Sequence, residues 1–214
     1  MKLAVFNGSP RGQRSNTKIL LDAFLTGYGS EAPRQLYIYQ ESDEALKKAF
    51  IERDTIIIAF PLYTDSVPGR VKYFLELMGT EDWSGKRIGV IVQSGFPEAI
   101  HTSYIARYFE ILAGKMNSNF SGAVIKGGLE GIRLQPPRLT AGLREDFRKL
   151  GSHFRDTGLI DQDIVDKLKT PWILSPGRRL VYRCMSILGI ANLYWNYNLR
   201  INKAFKQRFA RPYE

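Results

Sequence analysis

Five short apolar runs, separated by stretches of helical periodicity, restrict the fold of this chain more than any other feature. The run TIIIAF at 55–60 is continuous and β-branched, which is typical of a strand buried on both faces. The other runs lie at 2–6, 34–39, 87–93 and 120–128, and the helical patterns lie at 16–27, 43–52, 67–78, 98–113 and 140–155. Strands that alternate with helices, joined by right-handed crossovers, predict an α/β fold with a three-layer, doubly wound, five-stranded parallel sheet. Gly27 is expected to end the first helix.

The cysteine and histidine content excludes several kinds of site. Cys184 is the one cysteine among 214 residues, so the chain forms no intrachain disulfide and no cysteine metal cluster. His101 and His153 lie far apart in sequence, without metal-ligand spacing or an obvious catalytic partner. The first residues, MKLAVF, turn polar too soon for a secretory signal. We therefore expect a cytoplasmic protein without a structural metal.

Positive charge is concentrated at the end of the chain. The net charge is +10, of which the residues from Ser175 onward carry +7, with eight Lys or Arg residues and one acid, Glu214. The first 174 residues carry only +3. The change in composition predicts two parts, a domain over 1–158 and a basic, aromatic-rich helical extension over 159–214.

Three loops follow predicted strands at one edge of the sheet. Doubly wound sheets bind ligands at the carboxyl ends of their strands, where the winding direction changes. The loops 7–15, 61–66 and 94–98 follow the first, third and fourth strands. A binding site is therefore expected where these loops meet.

The first of these loops, NGSPRGQRSNT at 7–17, is rich in hydroxyl and amide groups and precedes a helix. Such a segment suits a phosphate, because backbone N–H groups converge at a helix N-terminus and hydroxyl groups supply further donors. The spacing matches neither the P-loop nor the dinucleotide glycine fingerprint. A polar strand-to-helix turn and a site for a terminal phosphate monoester both remain open.

Two segments resemble the NAD(P)H-dependent FMN reductases, a family with the flavodoxin-like fold. Residues 3–24 carry GSPR followed by S-N-T before an apolar helix, and residues 60–76 carry a proline, an aromatic residue and then P-x-x-V-K-x-F, with Lys72 and Phe74 on that pattern. A weaker match is QSGFPEA at 93–99. The resemblance extends over about residues 1–155 and implies that the domain over 1–158 is a flavodoxin-like FMN-binding domain.

The resemblance also implies an activity and a site. The chain would be an FMN-dependent oxidoreductase that passes hydride from NADPH or NADH to flavin N5 and on to a small acceptor, such as a quinone, flavin, nitro or azo compound. The flavin carries the reaction, so no catalytic side chain is expected. Because family members commonly dimerise, a homodimer is expected. The implied FMN-binding residues are Ser9, Arg11, Ser15, Asn16 and Thr17 at the phosphate, Pro61, Leu62, Tyr63 and Thr64 along the ribityl chain and ring, and Ser94, Gly95 and Phe96 at the pyrimidine end.

The C-terminal extension departs from the family pattern and leaves alternatives open. LVYRCMSILGIANLYWNYNL at 180–199 is long enough to span a bilayer, but Arg183 and three asparagines oppose insertion. Helices packed on the domain or on a dimer partner are one interpretation, and peripheral membrane contact through 175–214 is another. Nucleic acid is disfavoured, because no recognised module is present. The alternative functions are a flavodoxin-like electron carrier and a flavoprotein tethered to a membrane surface.

Overall fold

A computed structural model of the chain describes residues 2–211, apart from the side chain of Ala191; residues 212–214, including Glu214, lie outside it. The described chain forms two compact units that divide between Ile173 and Leu174.

The first unit contains the predicted sheet. Within residues 2–211, five strands pair in parallel in the order β2-β1-β3-β4-β5. The strands are β1 (Leu3–Asn7), β2 (Gln35–Tyr37), β3 (Thr55–Leu62), β4 (Arg87–Ser94) and β5 (Asn119–Lys126). The helices are α1 (Asn16–Tyr28), α2 (Asp43–Ile51), α3 (Gly69–Met78), α4 (Ser103–Lys115), α5 (Ala141–Thr157) and α6 (Gln162–Leu168). The predicted α/β fold is confirmed, and this strand order places its switch point between β1 and β3.

Helices cover both faces of the sheet, as the continuous apolar strands predict. Every residue of β3 is buried, and successive side chains of a strand point to opposite faces. Ile56 and Ile58 pack in one cluster with α2, α3 and α4. Ile57 packs in a second cluster with α1, α5 and α6. The core therefore consists of two apolar layers, one on each side of the sheet.

Two glycines allow α1 and α5 to pack closely. A Cβ atom at Gly27 would lie 1.9 Å from the carbonyl oxygen of Arg148, and one at Gly151 would lie 1.9 Å from that of Phe24. The expectation that Gly27 ends the first helix is wrong, because the helix continues to Tyr28. Gly29, with φ at 99°, is the C-cap instead. Gly27 serves helix packing rather than helix termination.

The chain after α5 still belongs to the first unit, because α6 packs in its core. Val165 and Leu168 of α6 are buried in the cluster that includes α1 and α5. The predicted boundary at 158/159 therefore lies inside the first unit, which extends to Ile173.

The second unit consists of short helices. Its α-helices are α7 (Pro176–Ile187) and α8 (Leu193–Ile201). Gly189, with φ at 72°, lies in the turn between them and interrupts the apolar stretch 180–199. No helix within residues 2–211 combines the length and apolar character that crossing a membrane requires.

Candidate functional site

Loops from the carboxyl ends of β1, β3 and β4 meet at one edge of the sheet. Parallel pairing brings these ends together, since Asn7 lies opposite Ala59 and Leu62 lies opposite Ser94. A cleft opens at this edge, and its lining residues are Ser9, Arg11, Asn16, Pro61, Leu62, Tyr63, Gln93, Ser94, Gly95 and Glu130. Eight of these ten were expected from the sequence.

The first loop is held in shape by its own hydrogen bonds. The Gly8 amide donates to the Ala59 carbonyl over 2.7 Å, and the Ser9 amide donates to Asn7 Oδ1 over 3.0 Å. A Cβ atom at Gly8 would lie 2.4 Å from a methyl group of Val71, so only glycine fits against α3 here. The loop is therefore fixed against its neighbouring strand before the helix begins.

Ser15 organises the start of α1. Its Oγ donates to the Gly12 carbonyl over 2.6 Å and accepts from the Lys18 amide over 3.0 Å, as an N-cap residue does. The single proton of this hydroxyl is thus already used within the loop. Ser15 shapes the loop and does not line the cleft.

Asn16 and Thr17 leave buried polar atoms without partners. Asn16 Nδ2 donates to the Leu129 carbonyl over 2.8 Å, but within residues 2–211 neither Asn16 Oδ1 nor Thr17 Oγ1 has a hydrogen-bond partner. A buried polar group left unpaired costs about 1–3 kcal/mol. Asn16 lines the cleft, whereas Thr17 is fully buried and does not line it.

Tyr63 and Thr64 continue the second loop from the end of β3. Pro61 and Leu62 still belong to the strand and are buried, whereas the Tyr63 side chain is half-exposed and Thr64 is exposed. Burial is the main cause that raises the pKa of Tyr63, and the Arg11 charge opposes it. The phenol therefore stays neutral at physiological pH and offers an aromatic surface with a hydroxyl group. Thr64 does not line the cleft.

The third loop is joined to a fourth loop, which follows β5. The Gly128 amide donates to the Phe96 carbonyl over 2.6 Å, and the Leu129 amide donates to the Ser94 carbonyl over 2.9 Å. These bonds bring Glu130 to Gly95, where an added Cβ atom would lie 3.3 Å from Glu130 Cβ. Phe96 is 43% exposed and does not line the cleft.

Glu130 and Gln93 are the two lining residues that the sequence prediction omitted. Gln93 lies near the carboxyl end of β4 and is buried. A polar side chain near the end of a buried strand is a local signal that could have identified it. Glu130 carries no comparable signal, because its position depends on the contacts of the fourth loop.

Both histidines have carboxylate neighbours, so the expectation that they lack partners is wrong. His101 Nε2 lies 3.5 Å from Glu98 Oε2, and its ring lies 5.0 Å from that of Phe96. His153 Nδ1 lies 3.7 Å from Asp161 Oδ2. His153 lies on α5, whose C-terminal end is at the edge of the sheet opposite the cleft, so only His101 is near the third loop.

Comparison of the sequence with protein families identifies the class of enzyme. The model of the NADPH-dependent FMN reductases matches residues 1–107, which is half of the chain. The chain belongs to this family. The protein is therefore an NAD(P)H-dependent oxidoreductase with FMN as its cofactor. None of the curated protein sequences compared with it matches.

Solved structures share the fold of this chain over 70–73% of its length. An NADPH-quinone reductase from P. pentosaceus is 22% identical, with a TM-score of 0.56, and the match covers 70% of this chain and 96% of that one. General stress protein 14 from Treponema denticola, in complex with FMN, is 18% identical, with a TM-score of 0.56 and coverage of 73% and 98%. An FMN-dependent NADH-azoreductase from Bacillus anthracis, also in complex with FMN, is 14% identical, with a TM-score of 0.54 and coverage of 72% and 100%. At these identities the likeness is one of fold.

Proposed function

We propose that FMN lies across the cleft with its phosphate at the first loop, and that the enzyme passes the electrons of NAD(P)H to a small acceptor. The carrying observation is the pair of buried, unpartnered oxygens on Asn16 and Thr17. The Thr17 hydroxyl would donate to a phosphate oxygen at the N-terminus of α1, where the helix dipole also favours an anion. Asn16 Oδ1 only accepts hydrogen bonds, so it suits a hydroxyl of the ribityl chain.

Of the other predicted residues, all but Ser15, Thr64 and Phe96 line the cleft. Ser9 and Arg11 lie on the cleft beside Asn16, and Arg11 would add a positive charge for the phosphate dianion. Ser15 would act through the loop that its hydroxyl shapes. Pro61, Leu62, Tyr63 and Thr64 would follow the ribityl chain and the ring, and Ser94, Gly95 and Phe96 would flank the pyrimidine end.

The bound flavin supplies the redox chemistry, accepting hydride from nicotinamide and passing electrons on. The side chains of this site would position and shield it. The neutral phenol of Tyr63 would give the ring an aromatic neighbour without adding charge. Gly95 would allow the backbone to approach the ring. No acid–base residue is assigned a step, because none is required for hydride transfer between the two ring systems.

The acceptor classes proposed are quinones, free flavins, nitro compounds and azo compounds. Structures of the same fold carry the names quinone reductase and azoreductase, which supports the first and last of these classes. A flavodoxin-like electron carrier is the alternative function. Anaerobic stopped-flow mixing with NADPH or NADH separates the two, because an oxidoreductase bleaches the flavin absorbance in catalytic time and a carrier does not.

A homodimer in the cytoplasm is also proposed. Helix α4 presents three exposed apolar residues at helical spacing, Tyr104, Tyr108 and Ile111, and such a stripe is typical of an interface. Light scattering should give the dimer mass for the wild-type protein and the monomer mass for Tyr104→Glu/Ile111→Glu. A wild-type monomer at micromolar concentration would exclude the dimer.

Direct titration tests the placement of FMN. The Ser9→Ala/Thr17→Ala protein should bind FMN more weakly by roughly 1–3 kcal/mol for each lost hydrogen bond to a charged acceptor. Quenching of the flavin fluorescence during the titration measures the affinity. Thr26→Ala is the matched control on α1, since the Thr26 hydroxyl donates to the Asp22 carbonyl over 2.7 Å. Equal affinities for the double variant and the wild-type protein would place the phosphate elsewhere.

A further inference from the structure

The second unit buries none of its helical residues, although it is rich in large apolar side chains. No residue of α7 or α8 whose side chain is described is buried. Ile187 is 77% exposed, Leu188 is 72% exposed and Trp195 is 56% exposed. Single exposed apolar residues are ordinary, but a contiguous exposed set marks an interaction surface.

Helix α7 separates apolar from cationic residues. Its start is well defined, since Ser175 Oγ accepts from the Arg178 amide and Pro176 occupies the first turn. At about 100° per residue, its aliphatic and sulfur-containing side chains fall within an arc of roughly 160°. This apolar stripe consists of Leu180, Val181, Cys184, Met185, Ile187 and the adjoining Leu188. Arg178, Arg179, Arg183, Ser186 and the half-exposed Tyr182 lie on the other side of the helix.

Helix α8 also exposes apolar side chains, both aliphatic and aromatic. Leu193, Tyr197 and Ile201 follow one another at intervals of four residues and are all exposed. Trp195 is exposed on a different side and contacts the ring of Tyr194. Tryptophan and tyrosine are enriched where a helix meets the boundary between lipid headgroups and acyl chains.

The charge of the second unit has one sign. Residues 174–211 contain eight Lys or Arg residues and no Asp or Glu. Anionic lipid surfaces attract such segments, and the attraction weakens with salt. Two copies of this unit would instead repel each other, which disfavours self-association as the use of the apolar stripe. Single-stranded nucleic acid stacks on aromatic rings, and it would therefore use Tyr182 and the rings of α8 while leaving the aliphatic stripe of α7 uncovered.

We infer that the second unit binds the surface of an anionic lipid bilayer, with α7 lying in the plane of the membrane. Its apolar stripe enters the boundary between headgroups and acyl chains, while Arg179 and Arg183 remain among the anionic headgroups. Leu193, Tyr197 and Ile201, which share one side of α8, lie at the same boundary. The inference is independent of where FMN binds, since none of these residues belongs to the cleft.

Sedimentation of the full-length, FMN-loaded protein with vesicles tests the inference. Vesicles of phosphatidylcholine with phosphatidylglycerol should bind the protein, and phosphatidylcholine alone should bind it roughly tenfold or more weakly. Val181→Ser/Leu188→Ser removes apolar surface at unchanged charge and should lower binding by about tenfold or more. Ser186→Ala, on the cationic side of α7, is the matched control and should bind like the wild-type protein. Flavin content should be equal in all variants.

The single cysteine allows a second measurement, which reports the position of α7 directly and does not depend on weakened binding. A nitroxide attached to Cys184, on the apolar stripe, should become accessible to oxygen and shielded from a water-soluble nickel chelate when anionic vesicles are added. The same label on Cys184→Ser/Ser186→Cys should stay accessible to the chelate.

Three results would overturn the inference. One is equal sedimentation of the wild-type protein and the Val181→Ser/Leu188→Ser variant. Another is a concentration-dependent oligomer that buries the Cys184 label without vesicles, which would make the stripe an interface between copies. The third is binding to an RNA or DNA oligonucleotide that exceeds vesicle binding and survives the serine substitutions.

Discussion

The side-chain amide of Asn16 donates a hydrogen bond to the main-chain carbonyl of Leu129 over 2.8 Å, which ties the first turn of α1 to the loop after β5. Asn16→Asp removes this donor and places a negative charge close to the proposed site of the FMN phosphate. We expect the dissociation constant of FMN to rise about tenfold or more, from about 1–4 kcal/mol for two like charges roughly 4 Å apart near a protein surface. Fluorescence titration measures it. Asn119→Asp, at the exposed start of β5, is the control and should bind FMN normally.

Thr17→Val separates two effects of the buried Thr17 hydroxyl, its effect on the stability of the apo protein and its effect on FMN binding. Valine has a similar shape, so the apo protein should be as stable as the wild type or more stable, because a buried unpaired oxygen is removed. The stabilisation that FMN confers should nevertheless fall. Thermal unfolding with and without FMN measures both quantities. A variant that loses apo stability and keeps its full FMN-dependent shift would contradict the proposed role.

Gly151→Ala should strongly destabilise the protein. The added methyl group would meet the Phe24 carbonyl at 1.9 Å, so α1 and α5 would have to separate, which costs about 3 kcal/mol or more. Gly142→Ala on the same helix has no heavy atom within 4 Å of its new Cβ atom and should be neutral or slightly stabilising. Urea unfolding compares the two. Similar midpoints for both variants would disprove the close helix contact.

The stability contributed by Asp43 should depend on pH in the acid range. A hydrogen bond from Tyr73 holds the pKa of Asp43 below its ordinary value, with a further contribution from Arg70, whose guanidinium lies 2.7 Å away. Because the folded-state pKa is the lower one, the stabilisation is present above about pH 4 and is lost as pH falls through the folded value. The difference in unfolding free energy between the wild-type protein and Asp43→Asn should therefore be constant near neutral pH and shrink in acid. Tyr73→Phe, which removes the donor of that hydrogen bond, should weaken the same pH dependence.

The fold could be predicted from the sequence because its signals are local. The β-branched run of β3 and the glycine and proline residues that bound the helices determine each element within its own segment. Gly27 was misassigned because its role depends on Arg148 of a distant helix. The start of the fourth helical segment also differs, since Ala99–Thr102 forms a 3-10 turn before α4 begins.

The sequence predicted those parts of the site that directly follow a recognisable strand. Three loops follow recognisable strands, and the parallel sheet brings them to one edge. Glu130 was missed because main-chain hydrogen bonds to Ser94 and Phe96 bring the fourth loop to the cleft. Main-chain bonds of this kind leave no recognisable pattern of side chains in the sequence. His153 and Asp161 likewise approach each other only through the return of the chain after α5.

The bond between Asn16 and Leu129 joins residues 113 positions apart. The ligand-binding edge is therefore complete only when β5 has paired with β4, late in the synthesis of the first unit. A nascent chain that ends before β5 would expose the phosphate loop without the loop that covers it. Tight binding of the cofactor is thus expected only after the sheet is assembled through β5.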